Sequence, residues 1–245
     1  MTLSLSQSAT ALAANVRASF QALNGTSPYA YAVLSGGAGG TVDGSSGVYI
    51  APASVPSDPS KLFDTIKVTD HVGATATAQI LVGTPLLLFC DIIQTRLGLA
   101  NGRVYLWDQK ISEPTDSGLY VAVSVPRCRP YGNGSQLQSD GLEHGAVHMV
   151  ATVDINIISR DSEARDRKEE VLLALSSAYS RQQQDANSFY VAPLPNAAGF
   201  LNLSQVDGAA IPYRYQISIN MMYMVVSAIA SEYFTTISVT EATDP

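Results

Sequence analysis

Charge is scarce in this sequence. Asp, Glu, Lys and Arg make up 14% of its 245 residues, where ordinary soluble domains carry about a quarter. The surface therefore rests on Ser, Thr, Gln, Asn and backbone, a composition suited to packing against copies of itself. Cations are the scarcer sign, 14 Lys and Arg against 21 Asp and Glu, for a net charge of −7. Gripping a phosphate backbone takes clustered Lys and Arg, so a general DNA-binding protein is excluded. A channel through which DNA slides is not. Cysteine is nearly absent. Cys90 and Cys128 form no CxxC pair and cannot make a disulfide scaffold, so both are expected as reduced thiols in a protein made inside a cell. Long hydrophobic runs are missing too. The most apolar stretch, residues 80–93, is broken by Gly83, Pro85 and Asp91, and a membrane-spanning helix needs about 20 residues. Residues 1–24 lack the basic start and apolar centre of a leader, and Arg17 interrupts them. The expectation is a chain neither secreted by a signal peptide nor inserted in a membrane.

Catalytic and metal-binding motifs are lacking as well. There is no GxSxG elbow, no HExxH and no DxDxDG. His144 and His148 stand four apart, but Gly145 lies between them and the second opens a strand pattern, where that spacing means about 13 Å. No third ligand follows, and His71 is isolated. The glycines of residues 35–47 contain no GK[ST] and lead into no helix, so they are no phosphate loop. The expectation is therefore no catalytic residue, no metal and no cofactor, in a non-enzymatic structural protein.

Periodicity organises what remains. Leu12, Val16, Phe20 and Leu23 recur at three and four, which predicts an amphipathic helix over 6–23, ended at Asn24-Gly25. Residues 35–60, with six glycines before Gly47 is passed and prolines at 52, 56 and 59, read as a loop or arm. Two short strands follow within 66–80. Thr84-Pro85 opens a helix that Gly98 stops. Residues 103–109 and 119–125 read as strands, 126–145 as polar loop, and 149–157 as a half-buried strand by strict alternation. A helix over 161–184 follows, capped by Ser159 or Asp161, with Ala164, Val171, Leu175, Ala178 and Tyr179 as its buried stripe. Phe189–Ala192 is a short strand. Residues 213–225 alternate longest of all.

The order implies an α+β fold, a mostly antiparallel sheet with helices packed on one face. It divides the chain into an N-terminal extension, residues 1–84, rich in Gly/Ser/Pro loop, and an α+β domain, residues 85–245.

The densest charge is RDSEARDRKEE, residues 160–170, which holds four of the fourteen cations and five acids. Both signs on one helix let a neighbour dock in fixed register, because mismatched like charges repel. Arg160, Asp161, Glu163, Arg165, Arg167, Lys168 and Glu169 are the candidate subunit-interface residues. The alternative is a solvated face laced by i, i+4 pairs.

Three segments carry a resemblance: RLGLANGRVYLWDQKISEPTDSGLYVAVSV (96–125), VDINIISRDSEARDRKEEVLLAL (153–175) and GAAIPYRYQISINMMYMV (208–225). Together they resemble the tail-terminator and neck proteins of tailed bacteriophages, over a little more than half the chain and without an invariant motif. The resemblance implies a tail-terminator-like domain and a homo-oligomer, a hexameric ring at the neck of a virion. Such a ring joins the head connector to the tail, with other neck, connector and tail-tube proteins as partners, and DNA passes through its lumen without specific binding. It implies no membrane partner. Residues 1–84 have no counterpart in the short terminators. The neighbouring reading is a head–tail adaptor or another tail or capsid accessory protein. From another class come a small-molecule-binding or hydrolytic α+β domain and, last, a carbohydrate-binding or adhesive module prompted by twelve tyrosines and the Gly/Ser loops.

Overall fold

A computed structural model describes residues 2–7, 9–107, 113–137, 142–192, 199–204 and 213–230. The fold is rich in sheet, mostly antiparallel, and carries few helices. Up to Val82 the chain is strands with one 3-10 turn at Pro59–Lys61: β1 (Ser4–Leu5), β2 (Ala9–Leu12), β3 (Arg17–Ser19), β4 (Ala22–Leu23), β5 (Ala30–Val33), β6 (Thr41–Val42), β7 (Val48–Ile50), β8 (Phe63–Thr69) and β9 (Thr75–Val82). Then come helix α1 (Pro85–Leu97), β10 (Val104–Leu106), β11 (Tyr120–Leu137) and β12 (Leu142–Ser159). Helices α2 (Glu163–Arg167), α3 (Glu170–Leu175) and α4 (Ala178–Asn187) precede β13 (Phe189–Val191), β14 (Leu201–Asn202) and β15 (Tyr213–Ala230).

The helix expected over 6–23 is not there, and β1 to β4 occupy it instead. Asn15 and Asn24 sit at φ 62° and 63°, a left-handed conformation that reverses the chain and that no right-handed helix contains. Leu12 and Phe20 are buried as the spacing suggested. Their neighbours, however, come from far along the chain: β2 pairs with β9 and β3 with β7. Strands of two to four residues are too short to show their own alternation, so a coincidental helical spacing dominates the pattern.

Residues 35–60 are likewise more than a loop. They contain β6 and β7, and Tyr49 on β7 is fully buried. Gly47 takes φ 69°, and a Cβ on Gly40 would collide with the Tyr49 hydroxyl, so glycine is required at both. These strands close a core of Leu12, Phe20, Tyr49, Ile66, Val68 and Ile80.

The second core joins Phe89, Ile92 and Ile93 of α1 and Val171 of α3 to Val121, Val153, Ile155, Ile217 and Ile219. Here the local rules hold. The Thr84 hydroxyl accepts from the Leu87 amide, Pro85 fills the first turn, and Gly98 closes α1 at φ 64°. The N-cap position of α2 is Ser162, whose side chain makes no cap bond; the two residues expected as caps instead reach first-turn amides from outside it, Ser159 accepting from Ala164 (2.8 Å) and Asp161 from Glu163 (2.9 Å). The single helix expected over 161–184 is three. Ser177 turns extended and its hydroxyl accepts from the Ser180 amide, which starts α4 afresh, and Ala178 is exposed rather than buried. Ala11, Ala13 and Leu81 already pack into the second core, and a side chain from the helical region adds hydrogen bonds to that join. Asn187, at the end of α4, accepts from the Ala13 amide (2.6 Å) and donates to the Ala11 carbonyl (3.3 Å).

The larger sheet runs β10-β11-β12-β15-β13, with β14 also on β15. Its three central strands are each 18 residues long, a ribbon of about 60 Å at 3.3 Å per residue. The polar loop expected over 126–145 is overturned, because its residues 126–137 continue β11 and 142–145 begin β12. Pro126 and Pro130 suggested a loop, but β11 has no strand on its outer side beyond Val123 among the described residues. A proline there forfeits no ladder bond. Two bulges accompany them. From Ser124 to Arg127 β11 advances three positions while β12 advances two, and from Pro130 to Gly132 it advances two against one.

Candidate functional site

The ribbon divides at about its middle. Below, along β12 and β15, Ala151, Val153, Ile155, Met221, Ile219 and Ile217 alternate into the core. Above, no residue of β11 from Pro126 to Ser135 is buried, on either face. A three-stranded ribbon with little packed against it among the described residues buries little of its own apolar area. This one nonetheless displays Tyr131 (55% exposed), Val225 (51%) and Met224 (41%), with Tyr190 of β13 (50%) beside them.

Register assigns the faces. Arg129, Val150, Met222 and Tyr190 share one rung, and Gly132, His148 and Met224 another. Both lie on the face opposite the core. Lower on that face the rungs are polar: the Ser218 hydroxyl donates to Asp154 (2.5 Å) and the Thr152 hydroxyl to Asn220 (3.3 Å). Higher up they turn aromatic and apolar, and the Tyr131 ring tilts on His148 at 5.6 Å. On the other face Cys128 Sγ lies 3.4 Å from the Tyr223 hydroxyl. Burial, reinforced by that contact, pushes the Tyr223 phenol up to about 12, so it stays protonated at neutral pH. A cleft of about 630 Å³ opens at the foot of this face, between Val16, Val55, Leu86, Val125, Tyr223 and Val225.

The charged segment proves less free than its sequence suggests. Arg167 donates to Glu163 (2.6 Å), to Glu170 (2.9 Å) and to the Leu97 carbonyl (2.9 Å), while Glu163 also accepts from the Leu119 amide (2.9 Å). These two residues tie α2 to the end of α1 and the start of β11. Arg165 lies over the Tyr213 ring and Lys168 over Tyr215. Arg160, Asp161, Arg165 and Glu169 are exposed. The structure thus places the seven candidate residues together on α2 and its flanks, and it occupies Glu163 and Arg167 within the chain.

Backbone of His144 and His148 lies in β12, and among the described residues no three His, Cys, Asp or Glu side chains are grouped to hold a metal. Among those residues, too, no helix is long and apolar enough to cross a membrane. Burial, with Asp91 beside it, pushes the Cys90 thiol far up, which makes it a poor nucleophile. The bare ribbon is what sequence reasoning missed. Its one signal was negative: alternation stops at Val125 because neither face there is buried.

No family model matches this chain, and no curated protein matches it. Solved structures are similar over parts of it, two of them as follows. The C-terminal 282-residue fragment of intimin, in complex with the intimin-binding domain of the translocated intimin receptor, is 18% identical with a TM-score of 0.28. That match covers 40% of this chain and 39% of the fragment. Extracellular cadherin domains 1–4 of protocadherin gamma B7 are 13% identical with a TM-score of 0.28, over 63% of this chain and 45% of that one. The chain therefore spans less than half the length of either. Likenesses of this strength assign neither fold nor function.

Proposed function

We propose that this chain is a structural virion protein of a tailed phage. Copies of it form a ring at the neck that caps or terminates the tail and joins it to the head connector. The single observation that carries this reading is the bare upper half of the ribbon. Tyr131, Tyr190, Met224 and Val225, exposed on a three-stranded sheet that no described element covers there, call for a partner surface. The scarcity of charge supports a sister chain as that partner, and the segment resemblance at 96–125, 153–175 and 208–225 supports the tail-terminator-like arrangement of helices on one face of the sheet. In such a ring Arg160, Asp161, Arg165, Lys168 and Glu169 meet a neighbour, while Glu163 and Arg167 brace α2 from behind. A net charge of −7 suits a lumen that must let DNA pass without holding it.

Electron microscopy and light scattering of purified protein test the reading. A cyclic particle, six-fold on the resemblance, is expected, and a monomer at high concentration overturns it. Copurification with a portal or a tail-tube protein distinguishes a terminator from a head–tail adaptor. One observation favours a reading of another class. The cleft of about 630 Å³ with Tyr223 on its wall has the size of a small-molecule site. A ligand that raises the melting temperature of the monomer, and is displaced by bulky substitution at Val16, would favour that reading.

A further inference from the structure

Among the described residues β11 has no outer neighbour beyond Val123, but its edge becomes unguarded at the height where β15 loses β13. On β15, β14 covers Tyr215 and Gln216, and β13 covers Met221 to Tyr223. From Met224 onward no described strand lies outside β15. On β11, Pro126, Pro130 and two bulges guard the edge up to Tyr131, the devices that stop a strand from recruiting another. From Gly132 to Leu137 the edge has neither proline nor bulge. Gly132 and Met224 lie on one rung, that of His148, and Leu137 and Ile229 on another, that of Glu143. The two free edges are therefore the same six rungs seen from opposite sides. Neither GNGSQL (132–137) nor MVVSAI (224–229) contains a charged residue, so like-charge repulsion does not oppose their meeting.

We infer that sister chains join edge to edge through these rungs, β15 of one copy receiving β11 of the next. The occupant is a second copy because this ribbon already supplies the matching edge at the matching height. β11 and β15 both run antiparallel to β12, so they run parallel to each other and the junction is a parallel pair. Joining one edge to a different edge is heterologous, and heterologous contacts generate rings or open helices. Because the two edges start on one rung, in-register pairing adds each copy without a shift along the strands, which favours a closed ring over an open helix. A two-fold β15–β15 pair would leave the open segment of β11 unused and stop at a dimer. The inference rests on the ring reading above and specifies its seam.

Cysteine cross-linking in the full-length chain tests it. Asn133 and Val225 share a rung and are exposed. In a Cys128→Ser background, Asn133→Cys with Val225→Cys is oxidised with copper phenanthroline in air and run on a non-reducing gel. The expected result is a ladder of covalent multimers ending at the ring number, while an equimolar mixture of the two single variants yields covalent dimers only. Replacing Asn133→Cys by Gln136→Cys moves the pair three rungs apart. It should lower the cross-linked fraction at least ~10-fold, because Cα atoms more than about 7 Å apart are not bridged. Circular dichroism of the reduced variants confirms that each folds. A ring in light scattering without a ladder overturns the seam and leaves the ring reading standing. Covalent dimers from Val225→Cys alone overturn the seam in favour of a two-fold pair. A monomer in light scattering overturns both.

Discussion

The Tyr49 hydroxyl donates a 2.5 Å hydrogen bond to the Asp64 carboxylate, with both side chains buried. The same carboxylate accepts from the amides of Gly39 (3.2 Å) and Gly40 (2.8 Å). One acid on β8 thus holds the glycine-rich segment against the first core, and burial together with this bond drives the Tyr49 phenol far up. Hydrogen bonds to a charged group contribute about 1.5–3 kcal/mol each. Tyr49→Phe removes one of three and should lower unfolding free energy by about 1.5 kcal/mol, whereas Asp64→Ala strands all three donors and should remove about 3 kcal/mol or more. Urea titration measures both. Equal stability of Asp64→Ala and the parent would show that the segment is held by something else.

Asn187 fastens the helical region to β2. Asn187→Ala orphans the Ala13 amide and the Ala11 carbonyl, at a destabilisation of about 1–3 kcal/mol for buried groups left unsatisfied. It should also loosen the coupling between the cores. Thermal unfolding followed by calorimetry is expected to broaden or split, with a van't Hoff enthalpy below the calorimetric one. A sharp two-state transition at the parent's temperature would refute that coupling.

Arg167 and Lys168 are neighbours with different work. Arg167→Ala removes the shared donor to Glu163, Glu170 and the Leu97 carbonyl and should cost about 1–2 kcal/mol. Lys168 sits over the Tyr215 ring and donates to the Arg165 carbonyl, so Lys168→Ala should cost about 0.5–1 kcal/mol. On the ring reading the ranking reverses for assembly, since Lys168 lies between the exposed Arg165 and Glu169 while Arg167 is engaged within the chain. Denaturant midpoints give the first ordering and sedimentation the second.

Asp91 lies half-buried on α1. Burial raises its pKa above the ordinary 3.8, against the pull of the Tyr179 hydroxyl that donates to it (2.9 Å). An acid with a raised folded value binds more protons folded than unfolded. It therefore takes stability away as pH climbs from near 3.8 through the folded value. Asp91→Asn should flatten this fall, so the variant gains on the parent as pH rises through that window. Melting temperatures from pH 3.5 to 7 follow it. Parallel curves would mean that Asp91 ionises as it does in water.

The legible parts of the fold were those whose signals are local. Thr84-Pro85 and Gly98 bound α1, Ser159 and Asp161 reach first-turn amides of α2, and strict alternation marks the lower halves of β12 and β15, where one face is buried. The first 50 residues were illegible for the opposite reason. Leu12 and Phe20 are placed by β9 and β7, far along the chain, and strands this short show no period. The candidate surface was hidden because Pro126, Pro130, Gly132 and Gly134 describe a guarded edge strand and a loop equally well. The charged run was visible at once, but nothing in its spacing says that Arg167 turns inward to the Leu97 carbonyl.

The two bulges of β11 leave the ribbon with a longer strand along one margin than along the next, two residues over the same height. Such insertions bend a strand and tighten its twist. The ribbon is thus bowed before any neighbour arrives. On the ring reading, an assembly built on it would inherit that bow as a fixed angle between adjacent members, so its circumference would be written into the backbone and side-chain changes along the seam would alter its strength more than its size.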